Sequence, residues 1–181
     1  MKIRNLIFIV ITFFLVSCKK EIKKPKMEYN QKANELIAQL ICDENCDCIL
    51  EIPQESMIEF DTLEYPNFEY ENYYIQKLSL KNKRELDSLN NLSKKFVLDT
   101  KLLNKSNLKI IKRDSIRILN KDINYYSKTC KNLKYLLKPI FNKTFTIAII
   151  DYGEIGMCMG MPNKQIFEYK NKKWNRKYTS Q

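Results

Sequence analysis

Apolar residues change their spacing several times along this chain, and each change predicts an element. Leu6 to Val16 is an apolar run broken only by Thr12, too short for the roughly 20 residues of a membrane-spanning helix. From Tyr29 to Ile41, apolar Ala33, Leu36, Ile37, Leu40 and Ile41 fall on one helical face, and Asp43-Glu44-Asn45 breaks the pattern. Cys46 to Ile52 predicts a strand, with Cys48, Leu50 and Ile52 on one side, Ile49 on the other and Pro53 at its end. Met57 to Tyr65 reads as a second extended stretch through Ile58 and Phe60. Beyond Pro66, Phe68 to Leu80 reads as a further strand, with Phe68, Tyr70 and Tyr74 in even-numbered register. Helical spacing returns from Lys83 to Phe96, and Asn107 to Ile111 predicts a short strand. A third helix is expected from about Lys121 to Leu137. Its stripe is Ile123, Tyr126, Cys130, Leu133 and Leu137, with Asn120 or Asp122 as cap and Pro139 as stop.

The remainder reads as β-structure. Thr144 to Tyr152 is nearly continuous apolar and β-branched, as a buried central strand would be. A loop follows with Gly153, Gly156 and Gly160, the three glycines of the chain, and then Pro162. Gln165 to Lys170 and Lys173 to Tyr178 pair as a hairpin about Asn171-Lys172. The fold class is α+β, with about three helices packed on a mainly antiparallel sheet and a C-terminal β-hairpin. A single globular domain is expected over 29–181.

The N-terminal run sits between a basic start, Lys2 and Arg4, and the pair Ser17-Cys18. That is the order of a secretory signal, and Leu15-Val16-Ser17-Cys18 resembles the bacterial lipobox. The resemblance implies a signal peptide over 1–17, cleavage before Cys18 and lipidation of its thiol. The rival reading is an ordinary signal peptide or small anchor that contains a cysteine. Lys19 stands where an inner-membrane lipoprotein carries aspartate, which favours the outer membrane. Residues 18–28 form a basic tether whose like charges extend it. It lacks an acidic run of the kind associated with surface export, which points to the periplasmic face of the bacterial envelope.

The formal net charge is +11 at pH 7. Its lysines are scattered, and an exported protein is not expected to meet nucleic acid. Anionic lipid or glycan is the more suitable counterpart, and the Lys-, Asn- and Ile-rich composition also fits an AT-rich genome. There is no histidine, which removes the commonest general base and most zinc sites.

Of six cysteines, Cys18 is assigned to the anchor. Cys42, Cys46, Cys48, Cys130 and Cys158 remain, an odd set for an oxidising compartment. Structural disulfides or buried thiols are one reading; either Cys42 with Cys46, or a strand cysteine with Cys158 or Cys130, makes a suitable pair. The other is a soft-ligand set of Cys42, Cys46, Cys48 and Cys158 with Met157, Met159 and Met161, suited to Cu(I) or zinc. Cys130, on the stripe of the third helix, is expected to be a small buried apolar residue. A nucleophilic Cys158 lacks a histidine to activate it.

Aromatic Tyr65, Phe68, Tyr70, Tyr73 and Tyr74 alternate with Glu64, Glu69 and Glu71. They read either as a sugar-binding or partner-binding face or as a half-buried strand with an acidic outer face. Glu59 and Asp61 would need a cleft to act as glycosidase acids. Asp61-Thr62-Leu63, Asp87-Ser88-Leu89 and Asp114-Ser115-Ile116 resemble the Bacteroidetes O-glycosylation pattern, making Thr62, Ser88 and Ser115 candidate acceptors.

Lys138-Pro139-Ile140-Phe141-Asn142, the Thr146 to Tyr152 strand, Gly156-Met157-Cys158-Met159-Gly160 and Lys172-Lys173-Trp174 follow one another in order. Together they resemble the C-terminal signature of small uncharacterised exported proteins and lipoproteins of Bacteroidetes. That signature usually carries two cysteines in its glycine-rich loop; here Cys158 stands alone. The resemblance implies fold and compartment, not an activity. The expectation is a lipid-anchored envelope protein without cofactor or catalytic constellation, a non-enzymatic binding or interaction domain. Its partners would be the membrane, through the lipid, and an envelope protein or glycan. The alternative is a soft-metal or redox-handling lipoprotein.

Overall fold

The computed structural model describes residues 25–43, 46–64, 66, 69–103, 108–114, 130, 133–154 and 164–177. Helix α1 spans Pro25–Asp43 and buries Tyr29, Ala33, Leu36, Ile37, Leu40 and Ile41, the face read from the spacing. It begins four residues before Tyr29. Proline suits a first helical position, where its missing N–H costs nothing. Asn34 is buried too. Its Nδ2 donates to Asn30 O and Val97 O, and its Oδ1 accepts from Asp99 N, so α1 pins the 97–99 segment.

Both extended stretches expected after Pro53 are instead helical: α2 at Met57–Glu64 and α3 at Tyr70–Lys77. Ser56 and Glu59 start α2 as a reciprocal capping box. Glu59 N donates to Ser56 Oγ, and Ser56 N donates to Glu59 Oε2. In α3, Tyr70 and Tyr74 are buried on one face. A separation of four residues satisfies the helical repeat and strand alternation equally, so the even-numbered register carried no discrimination. Helix α4, Lys83–Lys94, is capped by the Asn82 side chain accepting from Glu85 N and buries Leu86, Leu89 and Ser93. The short α5 covers Thr100–Leu103.

The strands are β1 Cys48–Leu50, β2 Lys109–Ile111, β3 Leu133–Leu136, β4 Ile140–Phe141, β5 Ile147–Glu154, β6 Lys164–Lys170 and β7 Lys173–Lys177. Their order is β2-β1-β3-β5-β6-β7, with β4 also on β5. The fold is α+β with the expected hairpin, but the sheet is mixed: β1 runs parallel to both β2 and β3, and the other pairings are antiparallel. The third helix is corrected at its C-terminal end, where Leu133–Leu136 is strand β3; residues 121–129 lie outside the described set. Leu133, Lys134 and Leu136 are all buried, and a short apolar run buried on both faces has no period that separates strand from helix. Cys130 is buried as expected, and of the pairings left open it takes the one with a strand cysteine rather than remaining a free thiol. It is bonded to Cys48 of β1, Sγ–Sγ 2.03 Å.

Strands β3 and β4 follow one another along one edge of β5, on either side of Leu137-Lys138-Pro139. The Lys138–Asn142 segment is structural throughout. Lys138 is buried, and its Nζ donates to Gln54 O and Lys94 O; burial holds its pKa below the usual lysine value. The Pro139 carbonyl accepts from Tyr29 OH at 2.6 Å. Ile140 and Phe141 enter opposite sides of the sheet. Asn142 Oδ1 closes the next turn by accepting from Thr146 N and Ile147 N.

Alternation along β5 divides the core. Ala148, Ile150 and Tyr152 meet α1 together with Phe141, Phe167 and Trp174. Ile149 lies with Ile140 and Ile166 under Tyr70, Tyr74, Leu86 and Leu89. Tyr29 anchors the first side, edge-on to Phe96, Phe141 and Phe145, each such pair contributing about 0.5–1.5 kcal/mol beyond area burial. Gln39 ties α1 to the sheet edge: its Nε2 donates to Trp174 O and its Oε1 accepts from Trp174 N. The β6–β7 turn places Asn171 and Lys172 at φ of 53° and 61°, the two left-handed positions of a type I′ hairpin turn.

Candidate functional site

On the α2–α4 side of the sheet, the strand alternation that buries Ile149 also turns Asp151 inward. There it joins Asp61 of α2, Tyr74 of α3, Tyr135 of β3 and Lys164 of β6. Lys164 Nζ lies 2.8 Å from Asp61 Oδ1 and 3.9 Å from Asp151 Oδ2, and all three side chains are almost wholly buried. Tyr74 OH donates to the other Asp61 oxygen, and Tyr135 OH donates to Asp151 Oδ1 at 2.9 Å. Lys164 Nζ also sits 4.8 Å from the centre of the Tyr70 ring, within cation–π range.

Gly153 makes room for this arrangement. It faces Tyr135 across the β3–β5 pair, and a Cβ there would stand 3.0 Å from Tyr135 Cε1 and 3.2 Å from its hydroxyl. A bare backbone lets the ring lie flat over β5 and reach Asp151. Burial pushes the Asp61 carboxyl upward, against the lowering influence of Lys164 and Tyr74, with Asp151 adding to the rise. Burial also raises Tyr74 and Tyr73, and the charges of Asp61 and Asp151 act in the same direction. Two carboxylates thus share one ammonium, and the phenols serve as donors. The cluster fastens α2 and α3 to three strands.

Tyr70 connects this interior to the surface. It also lines a solvent-facing groove of about 590 Å³ between α2, α3 and α4. Its walls carry Glu69, Glu71 and Asp87 against the single ammonium of Lys83, with Thr62, Asn72 and Asn90 as further polar groups. Lys83 is paired with Glu71, and Asn72 Nδ2 donates to Glu69 Oε2 at 2.7 Å. The buried Oδ1 of Asn90 has no hydrogen-bond partner among the described residues. The groove is therefore rich in acceptors.

No family model, curated protein or solved structure matches this chain.

The residues singled out in the sequence separate in space. Of the aromatic and acidic band, Tyr70 and Tyr74 are buried on one helix and Glu69 and Glu71 face the groove, so it is not a strand; Tyr65 and Phe68 lie outside the described residues. Asp61 is committed to Lys164 and Tyr74, while Glu59 caps α2 and pairs with Lys94. Thr62 and Ser88 are exposed, and Thr62 Oγ1 donates to Ile58 O; Ser115 lies outside the described residues. Cys42 is an exposed free thiol at the end of α1, and Cys46 is buried in the main core. Cys48 is bonded to Cys130 and offers no thiolate in this form. Cys158 and Cys18 lie outside the described residues. Among the described residues, no group of three His, Cys, Asp or Glu side chains is placed to hold a metal ion, and no helix is long and apolar enough to cross a membrane.

Lys164, Asp151 and Tyr135 drew no notice in the sequence. One signal was present: Asp151 interrupts an otherwise apolar central strand, and a buried carboxylate calls for a buried partner.

Proposed function

We propose that this chain is a lipid-anchored protein of the bacterial envelope, held at the periplasmic face of the outer membrane through Cys18. Its domain binds another envelope component without chemical turnover. The observation that carries the binding reading is the acceptor-rich groove between α2, α3 and α4, floored by Tyr70. Three carboxylates and an aromatic edge suit a partner rich in hydrogen-bond donors, either the hydroxyls of a glycan or the basic side chains of an envelope protein. The buried Asp61–Lys164 cluster fixes Tyr70 and the helices that frame the groove, so the surface is formed before the partner arrives, which lowers the ordering cost of binding. The lipobox, the basic tether and the C-terminal signature support the compartment and the Bacteroidetes exported-protein family.

The test places a photoreactive residue at Asn72 or Asp87 in the groove, and at Lys112 as control, in the full chain expressed in its own envelope. The reading expects a discrete crosslinked species from the groove positions alone. Equal or absent crosslinking at all three positions would refute it. Mass spectrometry of the N-terminal peptide checks the anchor: a diacylated Cys18 is expected, and an uncut or unlipidated terminus overturns the compartment.

A further inference from the structure

We infer that the end of the domain bearing the α1 N-terminus is itself a membrane-contacting surface for anionic phospholipid. This deepens the lipid-anchor reading and rests on it. Helix α1 begins at Pro25, seven residues after the proposed lipidated cysteine. Seven Cα steps reach at most roughly 25 Å, less than the ~40 Å breadth of a globular domain of this size. Whatever surrounds Pro25 is therefore held close to the bilayer.

Side-chain contacts define that end. Tyr29, one turn into α1, meets Phe96 and Phe145, which brings the 94–97 and 142–146 segments to the first turns of the helix. Lys32 Nζ lies 3.5 Å from the centre of the Tyr169 ring, beside the β6–β7 turn. The surface so assembled is basic with two apolar points. Lys32, Lys143 and Lys170 are paired with Glu35, Glu85 and Glu168. Lys26, Lys95, Lys172 and Lys173 are exposed and have no ion-pair partner among the described residues. Among the described residues, Glu28 and Asp99 are carboxylates on the same segments outside those pairs. Met27 and Val97 are each 65 % exposed, and Asn30, one turn beyond Met27, accepts from Val97 N.

Unpaired lysines around exposed apolar side chains form the pattern that attracts a protein to anionic headgroups, each lysine near the surface adding to the attraction. The tether restricts the search to that surface, so attraction too weak to recruit a free protein is sufficient to orient an anchored one. Contact at this end leaves the β2 edge of the sheet, with Lys109 and Lys112, away from the bilayer, since β2 and β7 are opposite edges.

The experiment takes the full chain extracted from its native membrane. It is reconstituted into phosphatidylethanolamine vesicles containing phosphatidylglycerol, and into neutral phosphatidylcholine vesicles. A brief amine acetylation is then read by peptide mass spectrometry. Lys26, Lys172 and Lys173 are expected to react roughly threefold more slowly on the anionic vesicles, with Lys109 and Lys112 equal on both. Molar salt should erase the difference. The Lys172→Glu, Lys173→Glu double variant, at the exposed end of the β6–β7 hairpin, should lose the protection at Lys26. Equal rates at the two ends, or protection on neutral vesicles alone, overturn the inference. The N-terminal peptide in the same digest reports acylation separately. A chain without lipid on Cys18 refutes the anchor reading, whereas a lipidated chain whose two ends react equally on anionic vesicles refutes this inference alone.

Discussion

Replacing Lys164 with methionine keeps an unbranched apolar stem, one atom shorter, and removes the ammonium that two buried carboxylates share. Asp61 and Asp151 then face one another in the interior without a cation, and the Tyr70 ring loses its charge contact. Removing one partner of a buried ion pair costs about 3–5 kcal/mol. For a chain of this size that lowers the melting temperature by about 10 °C. Asp61→Asn perturbs the same cluster differently. Burial raises the pKa of the Asp61 carboxyl, so ionising it costs more in the fold than in the unfolded chain. A neutral amide there leaves Lys164 with Asp151, and the loss should be nearer 1 kcal/mol.

The two variants also differ in pH dependence. A carboxyl whose folded pKa is raised contributes stability below its unfolded value of 3.8, and that contribution is lost as pH rises through the folded value. Asp61→Asn should therefore flatten the decline of wild-type stability across that interval. Lys164→Met should steepen it, because both stranded carboxyls take up protons in the folded state, with a slope of up to about 1.4 kcal/mol per pH unit for each. The assay is urea unfolding followed by the fluorescence of Trp174, the single tryptophan and a core residue, at several pH values with the disulfide intact. Asp61→Asn costing more than Lys164→Met at neutral pH, or a Lys164→Met deficit that does not shrink on acidification, would refute this account.

Opening the Cys48–Cys130 bridge, which spans 82 residues, should cost about 2–5 kcal/mol, read as a lower melting temperature under reductant that a Cys48→Ala, Cys130→Ala variant reproduces without it. Gly153→Ala should displace Tyr135 from Asp151 and cost about 1–3 kcal/mol, and in a double-mutant cycle with Tyr135→Phe the two losses should not add. Lys172→Gly should stabilise the chain by about 1 kcal/mol, since a lysine now occupies a left-handed turn position that glycine takes without strain; a lower urea midpoint would contradict this. Gln39→Ala removes two hydrogen bonds from the Trp174 backbone and should cost about 1–2 kcal/mol, with faster hydrogen exchange at the Trp174 amide.

Much of the frame is local and was legible. The apolar face of α1, the helical spacing of α4, the nearly continuous apolar β5 and the Asn171-Lys172 turn each follow from residues within one or two turns of the chain. At these places apolar spacing and turn residues agree with the packing. Helices α2 and α3 show where local reading fails. Tyr and Phe favour a half-buried pleat in general, yet here they fill a helix face, and four-residue spacing belongs to both repeats. The reciprocal capping box of Ser56 and Glu59 is the local feature that marks α2 as a helix.

The sequence by itself determined the α+β class, the buried face of α1 and the central position of β5, because an amphipathic repeat of sufficient length has only one face to bury. Only the tertiary structure decided which elements meet. The parallel placement of β1, the partner of Cys130 and the convergence of Asp61, Tyr74, Tyr135, Asp151 and Lys164 all join residues remote in sequence. Such pairings depend on the packing of whole layers, and no local period encodes them. The groove belongs to the same class: its carboxylates lie on α3, on the residue that precedes it and on α4, Thr62 lies on α2, and the side chain that floors it is held in place by a lysine on a strand that follows more than ninety residues later.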